Sequence, residues 1–148
     1  MDEETALAIL RRATWGVLST VGPDGLPYGT PLNYALDERL PQKYLLFHAA
    51  LEGRKLINLA HAPRASFVVV DKARMLPEKF STDFASVIVE GPVEFVVDAE
   101  AKRERLRLLV AALSPEHRQA GEMHIEKHLS NCCVFTLAVD SLSGKSRR

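Results

Sequence analysis

The residues best suited to chemistry gather in one short stretch, His48-Ala-Ala-Leu-Glu-Gly-Arg-Lys55. An extended segment ends at His48, small residues turn the chain, and a helix begins with Arg54 and Lys55 near its start. A helix N-terminus presents unpaired N–H groups and a partial positive charge, so it favours a phosphate. An arginine fork and a lysine point charge strengthen that preference. A solvated pair of surface cations is the competing reading, and the residues alone leave it open. His48 stands where an imidazole could donate a proton to a substrate or steady negative charge on it. A strand-end histidine bonded to a nearby carbonyl is the alternative.

A second stretch, Gly29-Thr-Pro-Leu-Asn-Tyr34, breaks an otherwise regular strand. Pro31 removes a ladder donor, which either frees neighbouring backbone groups for a ligand or protects a strand edge from aggregation. His124 and His128 share one helix face at i and i+4, a spacing that also suits a metal. Ile125 occupies the place where a metalloprotease needs Glu, so a solvated face is expected and no metal site is assigned. Cys132 and Cys133 form neither a redox C-x-x-C pair nor a zinc half-site. No Gly-x-Ser-x-Gly elbow is present, which argues against a hydrolase triad.

The elements that must position these groups follow from pattern. Asp2 caps a helix over Glu3–Arg12 with Leu7, Leu10 and Ala6 inward. Strands are expected at Trp15–Val21 and Pro27–Leu36, joined by the turn Gly22-Pro23-Asp24-Gly25, and at Lys43–His48. Leu51–His61 reads as a helix with Leu56, Ile57 and Leu59 or Ala60 inward, stopped by Pro63. Ala65–Val70 reads as a strand buried on both faces, and Asp71–Asp83 as a polar loop. Ala85–Val97 is a long strand with a corner at Gly91-Pro92. Asp98 caps a helix to Leu113, Ser114-Pro115 opens another to Leu129, and Cys132–Val139 is the last strand. Six strands with inserted helices make an α+β barrel over one domain, residues 1–148.

Composition narrows the function classes. Lys plus Arg and Asp plus Glu each number 19, so the net charge is zero and a nucleic-acid coat is not expected. No apolar run approaches the roughly 20 residues of a membrane span. An acidic N-terminus and two adjacent cysteines suit a reducing cytoplasm.

Taken in order, these pieces resemble a known family. Gly16-Val-Leu-Ser-Thr20, Asp24-Gly25-x-Pro27-Tyr28, Pro31-Leu-Asn-Tyr34, Phe47-His-Ala-Ala50 and Glu52-Gly-Arg-Lys55 look like the pyridoxamine-phosphate-oxidase-like flavin proteins, in particular the Nim-type branch associated with 5-nitroimidazole resistance. Asn58-x-x-x-x-Pro63-Arg-x-Ser-Phe67, Ser86-Val-Ile-Val-Glu-Gly91 and Ser143-Gly144-Lys145 extend the match from about Thr14 to Lys145. The resemblance implies a six-stranded antiparallel split β-barrel with flanking helices, a homodimer holding flavin mononucleotide (FMN) at its interface. Arg54 and Lys55 would then grip the FMN phosphate. Pro31, Leu32, Asn33 and Tyr34 would line the isoalloxazine, partly through backbone groups, with His48, Ala49 and Ala50 beside it. Ser86 and Val87 would form the opposite wall, from either subunit, and His48 would be the catalytic candidate. The implied activity is an oxidoreductase that takes electrons from NADH or NADPH and passes them to a small planar, nitroaromatic-like substrate. A non-catalytic flavin store or sensor and a haem-binding relative stay open. The chain lacks the aromatic-and-arginine tail expected of the vitamin B6 oxidases, so oxidation of pyridoxamine phosphate is not expected.

Overall fold

The computed structural model describes residues 1–147. Asp2 accepts a hydrogen bond from the Thr5 N–H at 2.8 Å and starts α1 (Glu3–Arg12), which buries Ala6, Leu7, Ile9 and Leu10. Then come β1 (Trp15–Val21), β2 (Pro27–Asn33), β3 (Ala35–Asp37), β4 (Tyr44–Ala50) and α2 (Arg54–His61). β5 (Arg64–Leu76), β6 (Ser81–Phe95), α3 (Ala99–Leu113), α4 (Arg118–His128), β7 (Cys132–Ala138) and β8 (Ser141–Arg147) complete the chain. The strands form one antiparallel sheet in the order β2-β1-β5-β6-β7-β4-β3, with β8 added to β6. Its two outermost strands, β2 and β3, are consecutive in the chain and meet at Tyr34. The sheet therefore curls back on itself while its edges stay unpaired, as a split barrel requires.

The described residues form eight strands, not the six expected. The run read as one strand over Pro27–Leu36 divides at Tyr34, because its first part pairs with β1 and its last with β4. Ser141–Arg147, too polar to read as an element, pairs with β6 from Phe84 to Glu90. The segment Asp71–Asp83 is also not a loop. Arg74, Met75 and Leu76 pair with Asp83, Thr82 and Ser81 beyond an irregularity between Asp71 and Arg74, and a 3-10 turn at Pro77–Lys79 closes this arm. Strands that leave the core bury no face, so they carry no hydrophobic alternation to read. A 3-10 turn over Pro115–His117 likewise replaces the first turn of the expected fourth helix.

Two apolar clusters lie on opposite faces of β4. Leu45 and Phe47 enter the barrel interior with α1, Leu18, Phe67, Val87 and Phe135. Tyr34, Phe67, Phe47 and Phe135 contact in sequence, with ring centroids 5.0–5.1 Å apart. Leu46 faces the other way, into a cluster with Leu106 and Leu109 of α3, Ile125 of α4 and Val134. Among the described residues no helix is long and apolar enough to cross a membrane.

β6 serves both halves of the sheet by turning at Gly91-Pro92: up to Glu90 it pairs with β8, and from Val93 to Phe95 with β7. A Cβ at Gly91 would run into the Ala138 carbonyl. We expect Gly91→Ala to destabilise the fold by about 1–3 kcal/mol. Urea denaturation followed by circular dichroism measures it, and an unchanged midpoint would show that the corner relaxes freely.

Candidate functional site

The site begins at a fork. β3 pairs with β4 as Ala35 opposite Leu46, Leu36 opposite Leu45 and Asp37 opposite Tyr44. Continued backward in that register, the ladder would set Asn33 opposite His48, Leu32 opposite Ala49 and Pro31 opposite Ala50. It does not continue, because β2 pairs with β1 instead, Asn33 opposite Trp15 and Pro31 opposite Val17. The split thus opens between Pro31–Asn33 on one bank and His48–Ala50 on the other, two segments singled out from sequence alone. Each bank is paired on its far side, to β1 or to β7, and only the main-chain groups that point into the split, those of Asn33, His48 and Ala50 with the Pro31 carbonyl, lack a strand partner.

Tyr34 holds the fork open. Its side chain is buried, and its hydroxyl donates to the Leu10 carbonyl at 2.7 Å. The Thr14 carbonyl accepts from the Tyr34 N–H at 3.3 Å and from the Asn33 Nδ2 at 3.0 Å. Tyr34 therefore offers no side-chain contact to a ligand, and the Asn33 amide nitrogen is already engaged. Leu32 turns toward the barrel core, while Pro31 is exposed.

At the far end of β4 the chain turns through Gly53, whose φ of 153° and ψ of 164° suit only glycine, into α2. This helix starts at Arg54, not at the expected Leu51, and buries Asn58 and Leu59, while Ile57 is 61% exposed. It has no side-chain cap and no acidic residue in its first turn, unlike α1 and α3, whose caps are Asp2 and Asp98. Asn58 fixes it in place: its buried Nδ2 donates to Thr20 Oγ1 at 3.0 Å, and the Thr20 hydroxyl reaches the Tyr28 carbonyl. The Arg54 guanidinium stacks on Tyr28, 4.3 Å from the ring centroid. Among the described residues, neither Arg54 nor Lys55 forms an ion pair. Two cations at an uncapped helix start, without a carboxylate partner, fit a phosphate ester.

Ser86 and Val87 lie apart from the split. Val87 is fully buried in the barrel, and Ser86 sits on the outer face of the sheet, paired with Val70 and Lys145. A single chain does not bring them to the groove.

His48 uses its backbone on the split and its side chain elsewhere. The imidazole projects with Leu46 toward α3 and α4, into a cleft shared with His124 and His128. Apolar surroundings, and to a lesser degree His124, hold it below the ordinary histidine range. The His124 and His128 rings are 4.3 Å apart on the rim of this cleft, so they are not the purely solvated face expected. Among the described residues no three His, Cys, Asp or Glu side chains are grouped to hold a metal. Burial pushes the Cys133 thiol up, so it is no ready nucleophile.

The sequence matches the pyridoxamine 5'-phosphate oxidase family over residues 2–146. The chain belongs to this family. Among members of the fold, a candidate 5-nitroimidazole antibiotic resistance protein from Bacteroides thetaiotaomicron is 21% identical, with a TM-score of 0.77 over 97% of this chain and 82% of its own. A flavocytochrome from Azotobacter vinelandii is 25% identical, with a TM-score of 0.76 over 99% of this chain and 68% of its own. A FAD and haem binding protein from Mycobacterium smegmatis is 21% identical, with a TM-score of 0.71 over 99% and 72%. No curated protein matches this chain.

Sequence reasoning about this family member missed Tyr28 and Asn58 as groups that set the α2 cations. Both stand in the motifs that carry the resemblance, but only pairing and burial reveal their partners. His48 yields a pH prediction. Its folded value lies below the unfolded one of about 6.5, so the unfolded chain binds that proton more readily. Stability from this group is full above pH ~6.5 and declines as pH falls toward the folded value. His48→Leu should lose less melting temperature than the parent between pH 7.5 and 5.5, read by thermal circular dichroism. Equal losses would place the acid sensitivity on another group.

Proposed function

We propose that this protein is a cytoplasmic, homodimeric FMN-binding oxidoreductase that reduces a small planar acceptor, nitroaromatic in type, with NADH or NADPH as donor. The observation that carries the reading is the split itself, with unpaired main chain on both banks and Arg54 and Lys55 at its phosphate end. Pro31, Leu32, Asn33, His48, Ala49 and Ala50 then flank the isoalloxazine. Arg54 and Lys55 take the phosphate, with Tyr28 limiting the swing of Arg54. When bound, the flavin supplies the hydride and electron chemistry, and the protein positions it and shapes its surroundings. A neutral His48 keeps one N–H to donate toward negative charge that develops on an acceptor.

The homodimer rests on the outer sheet face, where Trp15 is 58% exposed, Val70 56% and Ile88 39%. A second copy seated there would bring Ser86 and Lys145 to the first copy's groove and cover apolar surface that one chain leaves in water. The cytoplasmic reading rests on two cysteines that lie side by side on β7 and remain free thiols.

A haem-binding reading could draw only on the three histidines of the α3–α4 cleft, whose cavity of about 200 Å³ is too small for a macrocycle unless the helices move apart. A Soret band in freshly purified protein would support it, and flavin absorbance alone would end it.

Arg54→Ala combined with Lys55→Ala should weaken FMN binding by at least about a hundredfold, since each charged contact contributes ~1.5–3 kcal/mol. Fluorescence titration of FMN measures this; unchanged affinity would refute the phosphate assignment. Stopped-flow reduction by NADH or NADPH, followed by mixing with a nitroimidazole, then separates an enzyme from a flavin store. In the dimer reading, Val70→Glu with Ile88→Glu gives a monomer by light scattering and loses the flavin; a dimer that persists would place the interface elsewhere.

A further inference from the structure

The cleft between α3, α4 and the outer face of β4 is built rather than incidental. Two ion pairs clamp its helices on the solvent side, Arg103 to Glu126 at 2.7 Å and Arg107 to Glu122 at 2.8 Å. At one end Gly121 lies so close to Val110 that a Cβ there would sit 2.7 Å from its nearest methyl, and at the other the Lys102 ammonium donates to the Leu129 carbonyl. The helices thus form a braced roof over β4 and β7, and beneath it a cavity of about 200 Å³ stays open. Leu106, Leu109, Leu113 and Ile125 make its walls. His48, His124 and His128, with Ser114 at the edge, supply its polar atoms; His48 and His124 are partly open to solvent, and none of the three imidazoles hydrogen-bonds to another described side chain or backbone group. Unpaired ring N–H groups at an apolar cleft are the arrangement that orients a ligand by a few polar contacts.

Size and chemistry select the occupant. The cavity is smaller than the roughly 300–1,000 Å³ of sites for drug-sized ligands, so it suits one ring and not a macrocycle. Flat leucine and isoleucine walls favour an aromatic ring, and imidazole donors favour oxygen acceptors at its edge. We propose that this cleft binds a single aromatic ring carrying a planar two-oxygen group, nitro or carboxylate, whose oxygens accept from the imidazoles of His48, His124 and His128. The backbone of His48 belongs to the split, so a ring held here lies against the same strand that borders the proposed flavin. The proposal deepens the oxidoreductase reading by naming where its acceptor sits, but the binding claim stands on the cleft alone.

The test uses the whole protein with and without FMN, titrated with nitrobenzene, benzoate and toluene while the imidazole ¹⁵N resonances are followed by NMR. Nitrobenzene or benzoate should shift all three histidines and bind more tightly than toluene; whichever of the two is preferred identifies the acceptor as a nitro compound or an aromatic acid. Leu113→Trp, which fills the cavity from its half-buried end, should weaken binding at least tenfold while FMN affinity is retained. His124→Leu, on the exposed rim, should weaken it about five- to tenfold, the equivalent of one hydrogen bond. The Arg54→Ala, Lys55→Ala protein should still bind the ring, which keeps a failure of the flavin reading distinct from a failure of this one. Toluene binding as tightly as both oxygenated rings, equal affinity in both cleft variants, or unshifted imidazoles would each overturn the proposal.

Discussion

The structure depends on the place where one strand is prevented from zipping onto its neighbour. Backbone ladders are cooperative and cheap to extend, so a register that starts at Asp37 opposite Tyr44 would run on past Ala35 unless something stopped it. Tyr34 stops it. A buried phenol tied to the Leu10 carbonyl, and a Thr14 carbonyl that takes two donors, direct the preceding residues toward β1. Breaking that arrangement would leave the buried Tyr34 hydroxyl unpaired, at about 1–3 kcal/mol. Closing the split would cost both this phenol anchor and the pairing of Pro31–Asn33 with β1. α1 is part of the same device, since its last turn supplies the carbonyl.

Much of this was legible from residue order. The strand cores, the capping aspartates Asp2 and Asp98, and the corner at Gly91-Pro92 all have local causes, and the structure places them where those causes put them. The two banks of the split were also visible, as a proline-broken strand and a histidine-ended one. The facts that stayed hidden are non-local. Nothing in Pro27–Leu36 says that its halves choose different partners, because both choices satisfy the same hydrophobic pattern. Nothing in Ser141–Arg147 marks a strand, since its ladder with β6 uses main chain and only Leu142 packs on the core. On α2, Leu56 and Leu59 face inward as expected, but Asn58 and not Ile57 joins them, because a hydrogen bond to Thr20 makes a polar residue the better fit there.

The start of α2 departs from the local rules that α1 and α3 obey. α1 and α3 begin with an aspartate cap and acidic residues, which complement the helix dipole, and α3's arginines are paired with glutamates. α2 begins with glycine and two cations that the dipole disfavours, without a carboxylate to offset them. An anion seated there would satisfy the free N–H groups of the first turn and offset both cations. The stacking of Arg54 on Tyr28 fits the same logic, because it keeps the guanidinium ordered without consuming its donors.

β4 joins these features through the alternation of a single strand. Its odd residues Leu45, Phe47 and Ala49 pack into the barrel, and its even residues Leu46 and His48 face the α3–α4 cluster. Its main chain, on the side away from β7, borders the split. A run that reads simply as apolar therefore serves three spaces at once, and His48 is the one position where a polar group replaces the expected aliphatic. An aliphatic there would extend the second cluster and make the cleft wholly apolar on that side. A histidine instead places a donor in the cleft, while its backbone does what any residue would do for the split. On the proposed reading, the chain could change the acceptor it admits by substituting His48 or the α3–α4 lining, without disturbing the backbone surface that receives the flavin.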